Sequence, residues 1–230
     1  TKREILEGIS ELAQKYKAPV FTHSSETKSE VEDCIERYGK TPTELFEEIG
    51  LWNWGGGGYH SVWLSDNDLQ IYKKRGLWAI INAGSNSKLA SGICDVQKMS
   101  NMGINLAVGT DGPSSNNALD MFREMYLISV LQKLKYNDAA AMDANEILKA
   151  ATSGSAKCMR LTDLMIIDLE RPNMQPINNI TKNLVYSGSK DDVKMTMING
   201  KILYENGEFV NIDKEEIYAK AQEICNRLKN

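Results

Sequence analysis

The sequence predicts an α/β protein: a mainly parallel sheet covered by helices, then a small antiparallel sheet and a closing helix. Three observations carry this. Between residues 18 and 158, short continuous apolar runs alternate with helical patterns four times, as strands buried between crossover helices do. Beyond residue 160 the runs shorten, and Asn199-Gly200 joins two of them, which signals a hairpin. The polar residues able to do chemistry stand where apolar runs end, at His23, His60, Asn82 and Asp111. Strand C-termini are where α/β folds assemble active sites, in barrels and open sheets alike.

The elements follow in chain order. Residues 2–17 place Ile5, Leu6, Ile9, Leu12, Ala13 and Tyr16 at helical spacing. Residues 18–23 (APVFTH) form a short strand, and residues 29–38 a helix with Val31, Cys34, Ile35 and Tyr38 on one stripe. Pro42 and Glu44-Leu45-Phe46 open a third helix, and Gly50 stops it. Glycines 55–58 read as a flexible linker or a close backbone approach, and they lead into a strand end at 59–64. Ser65-Asp66 caps a helix over 67–74, LWAIIN (77–82) is a buried strand, and 85–92 is a polar loop. A helix over 95–102 ends at Gly103, and INLAV (104–108) is another strand, closed by Gly109-Thr110-Asp111-Gly112. Long helices are expected at 118–135 and 143–158. Strands at 164–169, 183–186 and 193–198, the two Asn-Gly turns at 199 and 206, and a helix over 213–229 capped by Asp213 complete the chain. The expected division is 1–160 and 161–230.

Composition narrows the function classes. The chain has 230 residues and a net charge of −4, which disfavours a nucleic-acid partner because that needs a basic face. No apolar run approaches the ~20 residues of a spanning helix, and no signal peptide opens the sequence, so a cytoplasmic protein without a membrane partner is expected. Four scattered cysteines without a C-x-x-C read as reduced thiols. The scattered methionines read as gap-filling core residues. With only two histidines, any imidazole chemistry must use His23 and His60.

Taken singly, each candidate has a plain structural reading beside a functional one. His23 could be a satisfied structural histidine, and Glu26 a carboxylate at a helix N-terminus. Asp111 ends a buried strand between glycines, so its charge needs a partner, a metal or a turn. Ser85 and Asn86 belong to what reads as a solvated loop. Together, two imidazoles and a carboxylate at three strand ends suit a zinc or non-haem iron site. Acid–base groups in a sugar or phosphate pocket are the alternative.

The stretches THSSETKSEVEDC (22–34), GGGGYHSVWL (55–64), NAGSNSKLASGI (82–93) and GTDGPSSNNALDMFREM (109–125) make the sequence recognisable. ERPNMQP (170–176) and MINGKILYENGEF (197–209) extend the match. The chain resembles the amidohydrolase superfamily, specifically its methylthioadenosine/S-adenosylhomocysteine deaminase and chlorohydrolase branch. The resemblance implies a metal-dependent (β/α)₈ barrel with a small β-sandwich. Residues 1–160 would be strands five to eight of the barrel. Residues 161–230 would be part of the sandwich plus a C-terminal helix. It further implies hydrolytic deamination of an aminopurine nucleoside such as methylthioadenosine, with zinc or iron activating a water. By the same resemblance, His23 and Asp111 would be metal ligands, and Asp111 would move the proton of the water. Glu26 would protonate the ring nitrogen, and His60 would orient the hydroxide. Asn82, Ser85 and Asn86 would shape the substrate side.

Three departures accompany the likeness. The family's H-x-H pair is absent from this sequence, so the chain reads as the C-terminal half of a longer enzyme. An inactive fragment or interaction subunit is therefore an alternative function, as is a guanine- or cytosine-type deaminase or a chlorohydrolase. The connection at 157–164 is shorter than in relatives. Ile81 stands where many relatives have histidine, and Ala83 where they have proline, which bears on substrate choice. A half-barrel exposes sheet edges, so the expected partners are a small-molecule substrate and either a second copy of the chain or the missing half.

Overall fold

Glycines 56–58 are not a linker: they are the second strand of a parallel sheet. In the computed structural model, which describes residues 1–160 and 163–229, strands β1 (Val20–Ser24), β2 (Gly56–His60), β3 (Trp78–Ile81) and β4 (Asn105–Val108) lie in the order β1-β2-β3-β4. All three pairings are parallel, with Val20 opposite Gly56, Gly57 opposite Trp78 and Trp78 opposite Asn105. A Cβ on Gly57 would overlap the Trp78 carbonyl, and one on Gly56 the Val20 carbonyl. Here glycine serves close backbone approach. The strand stops at His60 rather than running on to Leu64. His60 and Ser61 take left-handed backbone, at φ 70° and 51°. The Ser61, Val62 and Trp63 amides then bond the Ser24 and Ser25 carbonyls.

Twelve α-helices surround or follow the sheets among the described residues: α1 (Arg3–Tyr16), α2 (Lys28–Tyr38), α3 (Pro42–Glu48), α4 (Asp66–Arg75), α5 (Ala83–Lys88), α6 (Val96–Met102), α7 (Pro113–Asn116), α8 (Met121–Tyr136), α9 (Ala144–Lys149), α10 (Ser155–Met159), α11 (Ile180–Tyr186) and α12 (Lys214–Leu228). Local chemistry sets many of their starts. Thr41 and Ser65 each form a capping box, with Glu44 and Asp68, and Thr27, Asp120 and Asp213 cap with their side chains. Asp68 is fully buried and also accepts from Thr41 Oγ1 at 2.5 Å, which ties α4 to α3.

The helix-facing side of the sheet carries the main core. Ala79, Ile81 and Val108 pack with Phe46, Trp52, Tyr72, Met99 and Ile147, all buried. Trp52 meets Phe46 and Tyr72 edge-on, with centroids 5.1 and 5.6 Å apart, and its indole N–H donates to the Val20 carbonyl. The opposite side is thinner, with Ile80, Ala107 and Cys158 buried and Phe21, Tyr59 and Trp78 partly exposed.

Four local expectations are corrected. Residues 85–92 open as helix α5, because its first amides are capped from α8 and not by its own Asn82. The expected helix at 143–158 is interrupted by a π turn, Ala150–Gly154, where a Cβ on Gly154 would crowd the Leu106 carbonyl and Ser155 Oγ accepts from the Val108 amide. Residues 183–186 are the end of helix α11, which Asn179 caps by taking the Lys182 amide on its side chain. Ile81 lies in the helix-side core, so its replacement of a histidine does not place an apolar group among the polar strand-end side chains.

The second sheet is antiparallel, in the order β5 (Leu164–Ile167), β6 (Val193–Ile198), β7 (Lys201–Glu205), β8 (Glu208–Phe209). Asn199-Gly200 and Asn206-Gly207 make its turns, with left-handed backbone at all four residues. Leu161 and Thr162, at the centre of the 157–164 connection, lie outside the described residues. Among the described residues no cysteine is in a disulfide, and no helix is long and apolar enough to cross a membrane.

Candidate metal centre at the strand ends

His23 is the fourth residue of β1, His60 the last of β2, and Asp111 follows β4 by three residues. Parallel pairing puts these positions at one end of the sheet. His60 and Asp111 both adopt left-handed backbone, Asp111 at φ 60°. Such conformations cost on the order of 1–3 kcal/mol each in non-glycine residues, and here they accompany the turn out of each strand. One ligand atom from each of His23, His60 and Asp111 can be chosen so that all lie within 4.8 Å of one another.

The protonation pattern follows from the neighbours. His60 is 1% exposed, and its Nδ1 lies 2.7 Å from Asn86 Oδ1. A carbonyl oxygen only accepts, so Nδ1 carries a proton. Nε2 faces Glu26 Oε2 at 3.6 Å and Asp111 Oδ2 at 4.0 Å. An imidazole nitrogen and two carboxylates thus converge. Such a set is satisfied by a cation or a proton, and imidazole with carboxylate is a donor set that divalent zinc or iron accepts. The residues present therefore fit a divalent metal.

Each carboxylate is held by hydroxyls. Asp111 Oδ2 accepts from Ser85 Oγ at 2.7 Å and from Ser115 Oγ at 2.6 Å. Burial pushes the Asp111 pKa upward, but the hydrogen bonds from Ser115, Ser85 and the Gly112 amide outweigh it, and the carboxyl is held below its ordinary range. Glu26 Oε1 accepts from Ser91 Oγ at 3.0 Å. Glu26 does not cap α2. Glu30 takes the Ser25 and Glu26 amides at 3.0 and 2.8 Å, while Thr27 caps the helix, and the Glu26 side chain is left to face His60.

The structure thus brings together His23, Glu26, His60, Ser85, Asn86 and Asp111. Asn82 is also buried there, but as the boundary of α5, with its carbonyl accepting the Asn86 amide. Sequence reasoning passed over Ser91, Ser115, Asn116 and Glu124. Ser115 and Asn116 lie inside the GTDGPSSNN stretch and Ser91 inside NAGSNSKLASGI, so the motifs contained them without assigning a task. Glu124 lies in the longer 109–125 stretch, as a charged residue in the first turn of an apolar helix.

Residues 1–203 match the family model described as the amidohydrolase family. The chain is 38% identical to 5-methylthioadenosine/S-adenosylhomocysteine deaminase of Clostridium tetani, over 99% of the chain and 56% of that protein. It is 40% identical to the protein of the same name from Pyrococcus furiosus, over 94% of the chain and 54% of that protein. A zinc-bound adenosine deaminase from Xanthomonas campestris superposes with a TM-score of 0.94 at 30% identity, covering 100% of this chain and 55% of that one. The chain spans about half the length of the curated relatives it matches.

Proposed function

Since this chain belongs to the amidohydrolase family, we propose that it is the C-terminal half of a metal-dependent aminohydrolase. It carries strands five to eight of a (β/α)₈ barrel in residues 1–160 and part of a small β-sandwich in 161–230. The substrate we assign is an adenosine-type thioether nucleoside, methylthioadenosine or S-adenosylhomocysteine, as in the named relatives. The observation that carries the reading is the convergence of His23, His60 Nε2 and Asp111 at one end of the sheet.

The net reaction exchanges the amino group on the purine ring for the oxygen of water and releases ammonia. His23 and Asp111 would hold a divalent cation, zinc or iron. When bound, such a cation brings the pKa of water down to about 7. The remaining steps belong to the side chains. His60, with Nδ1–H donated to Asn86, keeps Nε2 free to accept from the attacking water and fix its approach. Asp111 takes the proton of the water and delivers it to the departing amine. Its carboxyl is ionised at neutral pH and can accept. Glu26, steadied by Ser91, supplies a proton to the ring nitrogen beside the attacked carbon, which removes charge developing there, and recovers it from the other hydrogen of the water. Ser85 and Asn86 are engaged by Asp111 and His60, so their first task is to orient those two residues. Asn82 would shape the substrate side through the fold of α5. A catalytic zinc ordinarily has at least three protein ligands, and this chain would supply two. The family's H-x-H pair, in a preceding half seated beside the outer strand β1, would complete the set.

The test is ammonia release from methylthioadenosine by the full-length protein, before and after chelation. Release that is abolished by chelation and restored by zinc is the expected result. A zinc-loaded, folded enzyme that releases no ammonia from either nucleoside would overturn the substrate assignment.

A further inference from the structure

Glu124 is a fully buried carboxylate in the first turn of α8, and no step above uses it. Its Oε2 accepts the Gly84 amide at 2.8 Å, at the N-terminus of α5. Its Oε1 accepts from Asn116 Nδ2 at 2.8 Å. Asn116 Nδ2 also donates to the Thr110 carbonyl at 2.6 Å, one residue before Asp111. Helix α5 has no side-chain cap of its own, so α8 supplies its cap from a distance. Two residues on α5 touch the site: Ser85 donates to Asp111, and Asn86 Oδ1 meets His60 Nδ1 at 2.7 Å. One buried carboxylate therefore sets the starting point of α5 and the path of the chain into Asp111.

Gly84 fits this arrangement. A Cβ there would collide with Glu124 Oε1 and crowd the Asn116 amide. Removing the charge without changing shape has a defined consequence. In Glu124→Gln the amide can present a hydrogen to the Gly84 amide or to the Asn116 amide, where only an acceptor fits. The N-terminus of α5 must then shift, and Asn86 and Ser85 shift with it.

We propose that Glu124 is a positioning residue for the reaction, acting through α5 and Asn116 to hold His60 in its Nδ1–H form and Asp111 in register. The claim deepens the deaminase reading and rests on it for its kinetic arm, while a second arm reads His60 directly. The experiment uses the full-length protein. Turnover on methylthioadenosine is measured per bound zinc, and ¹⁵N imidazole spectra are recorded with His60 identified by its loss in His60→Gln.

The expected result for Glu124→Gln is a fall of about thirtyfold in kcat per bound zinc, the size of effect that orienting partners have on metal sites. KM stays within about threefold, because the substrate's binding contacts are not the ones removed. The His60 spectrum moves from a single Nδ1–H tautomer to a mixture. Gly84→Ala displaces the carboxylate without deleting it and moves both readouts in the same direction, so it decides the case where Glu124→Gln does not fold. Glu124→Asp keeps the acceptor and recovers part of the turnover. Wild-type kcat per bound zinc with a wild-type His60 spectrum, in whichever of Glu124→Gln and Gly84→Ala folds, overturns the proposal. A wild-type enzyme with the Nδ1–H signature but no ammonia release counts against the deaminase reading, and the spectra of the variants still decide the role of Glu124.

Discussion

The two sheets of this chain are built to different degrees of completeness. The parallel sheet buries its helix-facing side within the described residues, and its strand ends are tied to one another by side chains separated by tens of positions in sequence. Ser91 reaches Glu26, Asn86 reaches His60, and Ser85 reaches Asp111. The antiparallel sheet leaves Leu164, Met165 and Ile166 exposed at 60%, 50% and 49%, and α12 has no buried residue. Short-range signals made both sheets: Asn-Gly turns in one, strand–helix alternation in the other. Among the described residues the parallel sheet adds long-range polar contacts that converge where chemistry is proposed, whereas in the antiparallel sheet Asp163 accepts the Asn199 amide at a turn. Local pattern is enough to make a sheet, and a site requires the tertiary fixing of a few strand-end residues.

The sharpest way to break this comparison is at Asp111. Asp111→Asn keeps shape and removes the proton acceptor, so full-length enzyme should lose about 10³–10⁴ in kcat, the upper range for a general base. Steady-state kinetics on refolded, zinc-loaded protein checks it. Next is a pair of core truncations. Trp52→Ala, at a residue 1% exposed, should cost about 3–5 kcal/mol in denaturant unfolding. Ile166→Ala should cost less than about 1 kcal/mol, the ordinary range for an exposed site. Equal costs would erase the distinction between the sheets. Asn86→Leu fills similar space but cannot accept from His60 Nδ1, and should lower kcat by about 10–100-fold, as expected when the orienting partner of an imidazole is lost.

The smallest effect is on pH. The Asp111 carboxyl in the fold lies below its ordinary value of 3.8. Its ionised form therefore stabilises the fold fully above the ordinary value, and that contribution is lost as pH falls through the depressed one. The stability difference between metal-free wild type and metal-free Asp111→Asn should be constant near neutrality and shrink in that acid window. A difference that grows as pH falls would reverse the sign of the argument.

Much of the architecture was legible because its signals are local. Ser65 and Asp213 sit where short-range chemistry starts helices, and Asn199-Gly200 where it turns strands. His23, His60 and Asp111 were legible as residues ending apolar runs. What escaped had causes far away in sequence. Helix α5 read as a loop because its cap is Glu124, forty positions on. The end of α11 read as a strand because four residues, 183–186, cannot separate period 2 from period 3.6 when only Val185 is buried. The tasks of Ser91 and Ser115 depend on which carboxylates the fold brings near them, and no spacing rule encodes that.

The most direct test of the central claim is zinc binding by the full-length protein and three variants, measured by equilibrium dialysis with metal analysis. About one zinc per chain is expected for wild type, as one mononuclear hydrolytic site implies. His23→Gln and Asp111→Asn should each bind at least about tenfold more weakly, because each removes a ligand, whereas His60→Gln should keep its zinc and lose turnover. Undiminished zinc affinity in both His23→Gln and Asp111→Asn would contradict the account, because the metal would then lie elsewhere than at these strand ends.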